Sequence, residues 1–466
     1  MGGELELSPK TFAYYLISLI SIASLSYFFL HLTEKQLIAT VILFALVLGT
    51  VFFWEIRLSF ALVGIAILIA SGLLSIEKFI EFSSLNIILF LAGMMIFVGY
   101  LEKVAFFEYL ISKLIVLIGK GGIRLYVLLM FMSAFFAAIV DEVTSILFML
   151  SITLLVTSKL RVNPMPFVLM IVFATNIGSS ATAIGNPVGV MIALNAKLTF
   201  SDFLYHATIV AFLVLAATII TCFFLFRKEL EEFTKNYKDL KPEELVDVHE
   251  YDKKILYTGI FFAIVFLSLV FHSQTEKLLG LEKNSMLLGT ALFAAGIVLF
   301  IEGRNARTFV ESKVDWWTLL FFMLLFSSVG TLEETGVMEI VSQQFVKIFG
   351  QSKLIAMSGI MLISGILTAV LDNVLAVAIF IPLVKDLLPT PVGSIYLWWS
   401  LLFGATLFGN LTIIGSTANI IAIGLMEKRG YKKISFMEWL RYGLPVVIVS
   451  VSLAFLLVYL QYLYGW

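Results

Sequence analysis

Cysteine and charged residues are both scarce in this sequence. A single cysteine, Cys222, among 466 residues excludes an internal disulfide framework and a thiolate metal cluster within one chain. Only 14% of the residues are charged and 61% are hydrophobic, whereas soluble domains average about 25% charged and about 45–50% apolar residues. The composition therefore predicts an integral membrane protein. Its apolar runs of about 20 residues do not alternate, which predicts membrane-spanning helices and not a β-barrel.

Signatures of membrane enzymes are also missing. The sequence contains no HExxH, no GxSxG and no paired metal-ligand spacing. Its four histidines lie at the ends of apolar runs or in a polar segment. We therefore expect a protein that is not an enzyme, has no cofactor or resident metal and binds no nucleic acid.

One long polar segment divides the apolar sequence into two halves. We interpret residues 1–35 as an extra N-terminal helix, 36–227 as a first transmembrane repeat, 228–253 as a cytoplasmic linker and 254–466 as a second repeat. Full spans are predicted at about 11–31, 36–54, 57–75, 84–101, 203–227, 254–272, 285–302, 315–332 and 436–462. Less regular apolar regions occupy 105–195 and 336–427.

The two halves resemble each other at a separation of 231 residues. "NIILFLAGMMIFVGYLE" from Asn86 and "WTLLFFMLLFSSVGTLE" from Trp317 share six identities over seventeen positions. The same separation relates Asp141 to Asp372. An intramembrane acid that recurs at the same separation is much harder to obtain by chance than a match between apolar residues. Glu102 and Glu333 also match, at span ends, and are interpreted as interfacial.

The distribution of basic residues predicts the orientation of the repeats. A cytoplasmic N-terminus and one re-entrant hairpin in each half place most of the 31 Lys and Arg residues on the cytoplasmic side, as the positive-inside rule requires. The two halves then have opposite orientations and the C-terminus lies outside. We expect an all-α polytopic protein of the plasma membrane, with inverted-topology repeats, about 11 transmembrane helices, two re-entrant hairpins and two broken helices. This is the architecture of secondary transporters.

Polar side chains mark the predicted tips of both hairpins. They are Asp141, Glu142, Thr144 and Ser145 in the first hairpin and Asp372 and Asn373 in the second. The apolar arms are interpreted as too short for two complete crossings, which places these groups inside the membrane, where ionisable residues are costly. The two aspartates either cap the following helices only, or cap them and also bind an ion or a proton. Glu142 has no acidic counterpart and is the leading proton-carrier candidate.

Two polar segments interrupt apolar runs further along each half. In the first, "NIGSSATAIGNP", the candidate residues are Asn176, Gly178, Ser179, Ser180, Thr182, Gly185 and Asn186. In the second, "GNLTIIGSTAN", they are Gly409, Asn410, Thr412, Gly415, Ser416, Thr417 and Asn419. Broken helices of this kind supply backbone carbonyls and helix N-termini to a substrate. The alternative is small-residue helix packing, which explains Asn and Pro clusters poorly. No Lys or Arg lies in these segments or at the tips.

These motifs, "DEVTSILFML", "NIGSSATAIGNP", "DNVLAVAIFIPL" and "GNLTIIGSTANIIAIG", resemble the ion transporter superfamily, and most of all its arsenite permease and P-protein branch. Citrate permeases and divalent-anion:sodium symporters are more distant relatives. The resemblance implies a homodimer built on scaffold helices, elevator-like movement of the hairpins and broken helices, and a substrate and coupling ion held between them. The sequence departs from the branch at Asn186, where the branch commonly has an acid.

We therefore expect a secondary active transporter for a small oxyanion or a hydroxylated metalloid such as arsenite, coupled to H⁺ or Na⁺. The alternatives are a sodium-coupled di- or tricarboxylate symporter and a Na⁺/H⁺ antiporter. Its expected partners are the transported small molecule or inorganic ion and the membrane lipid.

Overall fold

The computed structural model describes residues 8–238, 240–246, 253–350 and 352–465. Helices and their connections make up these ranges, and about 84% of the residues are helical. In the first half lie α1 (Pro9–Leu30), α2 (Glu34–Phe52), α3 (Arg57–Ala70), α4 (Ile76–Phe82), α5 (Leu85–Lys103), α6 (Phe106–Ile118), α7 (Gly122–Ile139), α8 (Glu142–Lys159), α9 (Met165–Ser179), α10 (Pro187–Asn195) and α11 (Phe200–Leu225).

After α11 the linker begins with α12 (Arg227–Tyr237), followed by the short helix Pro242–Leu245. The second half contains α13 (Lys253–Val270), α14 (His272–Leu279), α15 (Ser285–Glu302), α16 (Ala306–Lys313), α17 (Trp316–Glu334), α18 (Val337–Phe349), α19 (Lys353–Val370), α20 (Asn373–Leu387), α21 (Tyr396–Leu407), α22 (Thr417–Lys428) and α23 (Phe436–Tyr464). Eleven helices in the described ranges are long and apolar enough to cross a membrane.

The helix boundaries repeat with the separation that the sequence predicts. Both ends of α5 and α17, of α6 and α18, and of α7 and α19 are 231 residues apart. The connections repeat as well, because a short surface helix precedes α5 and another precedes α17. The prediction of an all-helical membrane protein with paired repeats is confirmed.

Two details of the predicted spans are wrong. The helix expected over 57–75 ends at Ala70 and has 14 residues, because a turn follows it before α4. The hairpin arms α7, α8 and α19 have 18 residues each and are long enough to span by themselves. Arm length alone therefore does not predict re-entrant hairpins. Their tips meet inside the protein, where Nδ2 of Asn373 donates to Oε1 of Glu142 at 3.3 Å.

The helices form two packed groups. The hairpins α7–α8 and α19–α20 pack on the broken helices α9–α10 and α21–α22, and α11 and α23 pack beside them. A second group, here called the scaffold, contains α2, α3, α5, α15 and α17, in which α5 contacts α15 and α17 contacts α3. Each repeat thus supplies helices to both groups.

The linker identifies one face of the molecule. The hydroxyl of Tyr237 donates to the carbonyl of Gly119 at 3.1 Å, and Nδ2 of Asn236 donates to the carbonyl of Leu160 at 2.9 Å. Both acceptors lie at the open end of the first hairpin. We call this side, where α5, α8 and α16 also end, the linker face.

Candidate functional site

Each hairpin tip is an aspartate that caps the second arm. Oδ1 of Asp141 accepts from the amide of Thr144 at 2.8 Å, and Oδ1 of Asp372 accepts from the amide of Val374 at 2.9 Å. Asp372 also accepts from the hydroxyl of Thr417 at 2.9 Å. A carboxylate at a helix N-terminus satisfies free amides and interacts with the helix dipole. Capping is therefore present at both tips, and both carboxylates also line a cavity.

Glu142 and Asn373 follow the two aspartates and contact each other. They are 231 residues apart, so each is the repeat equivalent of the other, and the pseudo-two-fold axis passes between them. Both side chains are buried, Glu142 at 3% and Asn373 at 2% exposure. The remaining oxygens, Oε2 of Glu142 and Oδ1 of Asn373, are buried without a hydrogen-bond partner among the described residues.

The first broken helix is held by side-chain caps between α9 and α10. Oδ1 of Asn186 accepts from the amide of Gly189 at 2.8 Å, and its Nδ2 donates to Oγ of Ser179 at 2.9 Å. Thr182 donates to the carbonyl of Ala138, near the end of the first hairpin arm. Ser180 bonds only to its own helix, at the carbonyl of Ile177.

The second broken helix repeats this arrangement. Thr412 donates to the carbonyl of Ala369 at 2.6 Å, which matches the bond from Thr182 to Ala138 in the first half. Ser416 occupies the cap position of α22, where its hydroxyl accepts from the amide of Ala418 at 3.2 Å. Each broken helix is therefore tied to the hairpin of its own repeat by a threonine.

Asn176 joins the two broken helices. Its Nδ2 donates to the side-chain oxygens of Asn410 at 2.7 Å and Asn419 at 2.8 Å, and its Oδ1 accepts from Ser416 at 2.9 Å. Asn419 in turn donates to the carbonyl of Gly409 at 2.7 Å. All these side chains are fully buried. Partnered amides of this kind fix a unique arrangement, because leaving one unpaired is costly.

The glycines of both broken helices let neighbouring backbone segments pack closely against them. They do not adopt the backbone angles that only glycine favours. A Cβ at Gly178 would overlap the backbone of Ala134 in α7, and one at Gly185 would meet the carbonyl oxygen of Ser179. Gly409 and Gly415 pack against each other's backbone. None of these four has a positive φ.

A cavity of about 400 Å³, here called the central cavity, lies between the hairpin tips and the scaffold on the linker-face side. Six of the twenty predicted site residues line it: Asp141, Glu142, Thr144, Asn186, Asp372 and Thr417. The other fourteen lie behind this surface. Ser145 bonds to the carbonyl of Ser133 within its own hairpin, and the asparagine network is engaged with itself.

Two cations that the sequence interpretation did not include also line the central cavity. Arg57, 7% exposed, stacks on Trp54 at 3.9 Å and donates to the hydroxyl of Thr318 at 3.0 Å. It makes no direct salt bridge in the described part of the chain, but the carboxylates of Asp372, Asp315 and Glu55 act on it electrostatically from further away. Lys313 pairs with Glu102 at 2.7 Å. Arg57 begins the scaffold helix α3 and Lys313 ends α16, and both lie outside the polar motifs.

A second cavity of about 240 Å³ lies on the opposite face, and the repeat relates it to the central cavity. Eight of its residues are repeat equivalents of residues lining the central cavity. The pairs are Ser312 with Glu81, Lys313 with Phe82, Asp315 with Ser84, Thr318 with Ile87, Met95 with Phe326, Glu102 with Glu333, Leu147 with Ala378, and Ile421 with Met191. The separation is 231 residues in the first seven pairs and 230 in the last, because the broken-helix segments of the two halves are offset by one residue. Neither Asp141 nor Asp372 lines the second cavity.

Similar sequences agree on the class of protein. The sequence profile described as "Citrate transporter" (CitMHS) matches residues 44–404 and 275–466. An uncharacterized transporter of Mycobacterium tuberculosis is 32% identical over 381 residues, which cover 81% of this chain and 86% of that protein. The chain belongs to the citrate transporter family.

More distant relatives confirm the resemblance inferred from the motifs. The human P protein is 26% identical over 471 residues, covering 83% of this chain and 54% of that longer protein. Among solved structures, the YdaH transporter of Alcanivorax borkumensis superimposes with a TM-score of 0.58 at 15% identity, covering 84% of this chain and 88% of that one. This similarity shows a shared fold.

In this member of the citrate transporter family, the sequence predicts only some of the polar side chains that line the central cavity. The hairpin tips were found because acids and amides are rare in apolar runs. Arg57 and Trp54 gave no such signal, because Arg and Trp are ordinary at membrane interfaces. Glu102 was interpreted as interfacial, yet it lines the central cavity with Lys313.

Proposed function

We propose that this chain is an ion-coupled secondary active transporter that carries a small anion, a di- or tricarboxylate or an oxyanion, through the central cavity. The observation that carries the proposal is Arg57, a buried guanidinium that lines the cavity and contacts no carboxylate among the described residues. The carboxylates that act on it, Asp372, Asp315 and Glu55, make no direct salt bridge with it, and its planar guanidinium matches the geometry of a carboxylate with two parallel hydrogen bonds.

The charges of the central cavity support ion coupling. Five acidic residues line it, Asp141, Glu142, Asp372, Glu102 and Asp315, against the two cations Arg57 and Lys313. An anion entering this cavity meets an excess of negative charge unless some carboxylates are neutralised. Binding of H⁺ or Na⁺ together with the anion removes this repulsion, which links the two binding events.

The paired cavities support alternating access of the elevator type. Their residues are repeat equivalents, so the two repeats can exchange roles and close one cavity while the other extends to the tips. We further propose a homodimer in the plasma membrane, with the N-terminus and linker face cytoplasmic and the C-terminus outside. The distribution of Lys and Arg supports this orientation. The structure then represents an inward-facing conformation.

A hydroxylated metalloid such as arsenite is the second candidate substrate. Its neutral hydroxyl groups would find donors and acceptors at Thr144, Asn186 and Thr417, which all line the central cavity. It needs no cation, so Arg57 favours the anion over this candidate.

Thermal unfolding of the purified protein with citrate, succinate, sulfate, arsenite and antimonite, at several pH values and with or without Na⁺, identifies the substrate class. We expect stabilisation by an anion and dependence of that stabilisation on H⁺ or Na⁺. A shift with Na⁺ and pH but with none of the five compounds would support a Na⁺/H⁺ antiporter instead.

Uptake of the stabilising compound into proteoliposomes tests the coupling. Asp141→Asn and Asp372→Asn are expected to abolish uptake driven by a pH or Na⁺ gradient while the protein still assembles, and the exposed Glu438→Gln serves as the control. Gradient-driven flux that stays unchanged in both aspartate variants would contradict the coupling role.

A further inference from the structure

The contact between the two hairpin tips at the pseudo-two-fold axis satisfies only some of their polar atoms. The contact joins Nδ2 of Asn373 to Oε1 of Glu142, and it leaves Oε2 of Glu142 and Oδ1 of Asn373 without partners among the described residues. Both atoms are acceptors when Glu142 is ionised. Unpaired buried acceptors of this kind are rare in native proteins, and each one requires an explanation.

One proton satisfies both atoms at once. A protonated carboxyl group has one O–H donor in addition to its carbonyl acceptor, and a carboxamide has N–H donors and one carbonyl acceptor. Oε2–H of Glu142 would donate to Oδ1 of Asn373, while Nδ2–H of Asn373 donates to Oε1. The pair then has two parallel hydrogen bonds and no net charge. Loss of the proton turns one of these bonds into a repulsion between two acceptors.

We propose that Glu142 and Asn373 form a proton-binding latch, in which one proton on Glu142 holds the two hairpin tips together and its release to the cavity lets them separate. The proton is the ligand of this site. The inference deepens the proposed transport function and rests on it for its physiological meaning, although proton binding itself can be measured without transport.

Two further carboxyl groups and one hydroxyl group surround Glu142. From its own hairpin Asp141 lies beside it, and from the second hairpin Asp372 faces it. Ser179 of the first broken helix is also near, but its hydroxyl donates to the carbonyl of Asn176. Both aspartates cap helices and keep hydrogen-bond donors for their charged forms. The cations Arg57 and Lys313 line the same cavity, but neither contacts Glu142. Of the three carboxyl groups, Glu142 is the one with a buried oxygen that has no hydrogen-bond partner among the described residues.

The repeat supplies a reason for pairing an acid with an amide. Two glutamates at the axis would be like charges in contact, and two amides would bind no proton. The pair found here binds one proton, and it has two hydrogen bonds between the hairpins when protonated but one hydrogen bond and one repulsive contact when ionised. Because each residue is the other's equivalent, the acid can be moved across the axis without changing the shape of the site.

Three isosteric variants test the latch by thermal unfolding of the purified, substrate-free protein across a pH series. In the wild type the midpoint should fall as pH rises through ionisation of Glu142, because the second hydrogen bond is then lost. Glu142→Gln should remove this step, since Gln pairs with Asn373 at every pH. Asn373→Asp should move the step to higher pH by about one unit or more, because two carboxyl groups then share one proton.

The double variant Glu142→Gln with Asn373→Asp restores an acid–amide pair in mirrored form, so a pH step should return. The exposed Glu438→Gln should keep the wild-type profile. A step that persists in Glu142→Gln, or that Asn373→Asp leaves in place, would overturn the proposal. If Glu142→Gln does not fold, the infrared carbonyl band of the buried carboxylic acid, titrated in wild type and Asn373→Asp, gives the same comparison.

Transport measurements test the latch independently of thermal unfolding. Uptake driven by a pH gradient should be lost in Glu142→Gln and partly recovered in the mirrored double variant. A wild-type protein that transports none of the tested anions would contradict the proposed function, whereas its pH step and the variants' shifts would still decide whether the latch exists.

Discussion

Buried polar residues of this protein serve two distinct purposes. Asn176, Asn410 and Asn419 satisfy one another and hold the broken helices together. Arg57 lines the central cavity and Glu142 lies at the pseudo-two-fold axis, and neither has a full set of hydrogen-bond partners among the described residues. The first kind of residue specifies the structure, and the second kind is available to a ligand.

Replacement of Arg57 tests whether the cavity binds an anion. Arg57→Gln removes a charge-assisted contact, so the dissociation constant of the stabilising anion should increase about 10- to 100-fold. Arg57→Lys keeps the charge but loses the planar stack on Trp54, so its affinity for the anion should lie between those of the wild type and Arg57→Gln. Isothermal titration of each purified variant measures the effect.

The matched control is Arg307→Gln, an exposed arginine paired with Glu311 on the same helix, which should bind the anion as the wild type does. An unchanged dissociation constant in Arg57→Gln would exclude Arg57 from the anion site. It would also favour a neutral substrate such as a hydroxylated metalloid.

Helices of the two repeats match more closely than their sequences do. The separation of 231 residues could be predicted from Asp141, Asp372 and a few identities, because an acid in an apolar run is conspicuous. The contact between Glu142 and Asn373 could not, since sequence places both at tips but does not show that the tips meet at the axis. Arg57 was missed because Thr318 is brought to it only by tertiary packing of α3 against α17, and its neighbour Trp54 is ordinary at a membrane interface.

Close packing of the first broken helix on the hairpin depends on Gly178. An added Cβ would overlap the backbone of Ala134, which cannot move without displacing α7 from α9. Gly178→Ala should therefore lower stability by at least about 1–3 kcal/mol, as overpacking of a filled core does. The unfolding temperature of the purified protein in detergent measures this effect.

Gly296→Ala is the control for this substitution. No atom lies within 4 Å of the new Cβ in α15, and Ala favours a helix over Gly by about 1 kcal/mol. That variant should be as stable as the wild type or slightly more stable. Equal stability of Gly178→Ala and the wild type would show that the hairpin and the broken helix can separate without cost.

At the scale of the whole molecule, two of the cavities in the described ranges lie on opposite faces, are related by the repeat and differ in extent. The central cavity reaches the tip carboxylates from the linker face, while its repeat equivalent on the other face does not. If the two repeats exchange roles during transport, each residue that lines a cavity should move into the environment that its repeat equivalent has in this structure. Leu147 and Ala378 are such a pair, one on the second arm of each hairpin.

Single cysteines at these two positions test the exchange of roles. The native Cys222 is fully buried, so a Cys222→Ser background should give little labelling of its own. Without substrate, Leu147→Cys should react with a membrane-impermeant maleimide from the linker face, and Ala378→Cys, now 3% exposed, should be protected. Adding substrate and coupling ion should protect Leu147→Cys and expose Ala378→Cys to reagent from the opposite face.

The exposed linker position Glu232→Cys should react from the linker face under every condition, which controls for vesicle sidedness. Opposite changes at the two repeat equivalents require movement of both hairpins against the scaffold, because a local opening near one position would change that position only. A continuous channel would make both positions reactive at once from either face. Simultaneous labelling would therefore contradict alternating access, while reciprocal labelling would distinguish it from local opening.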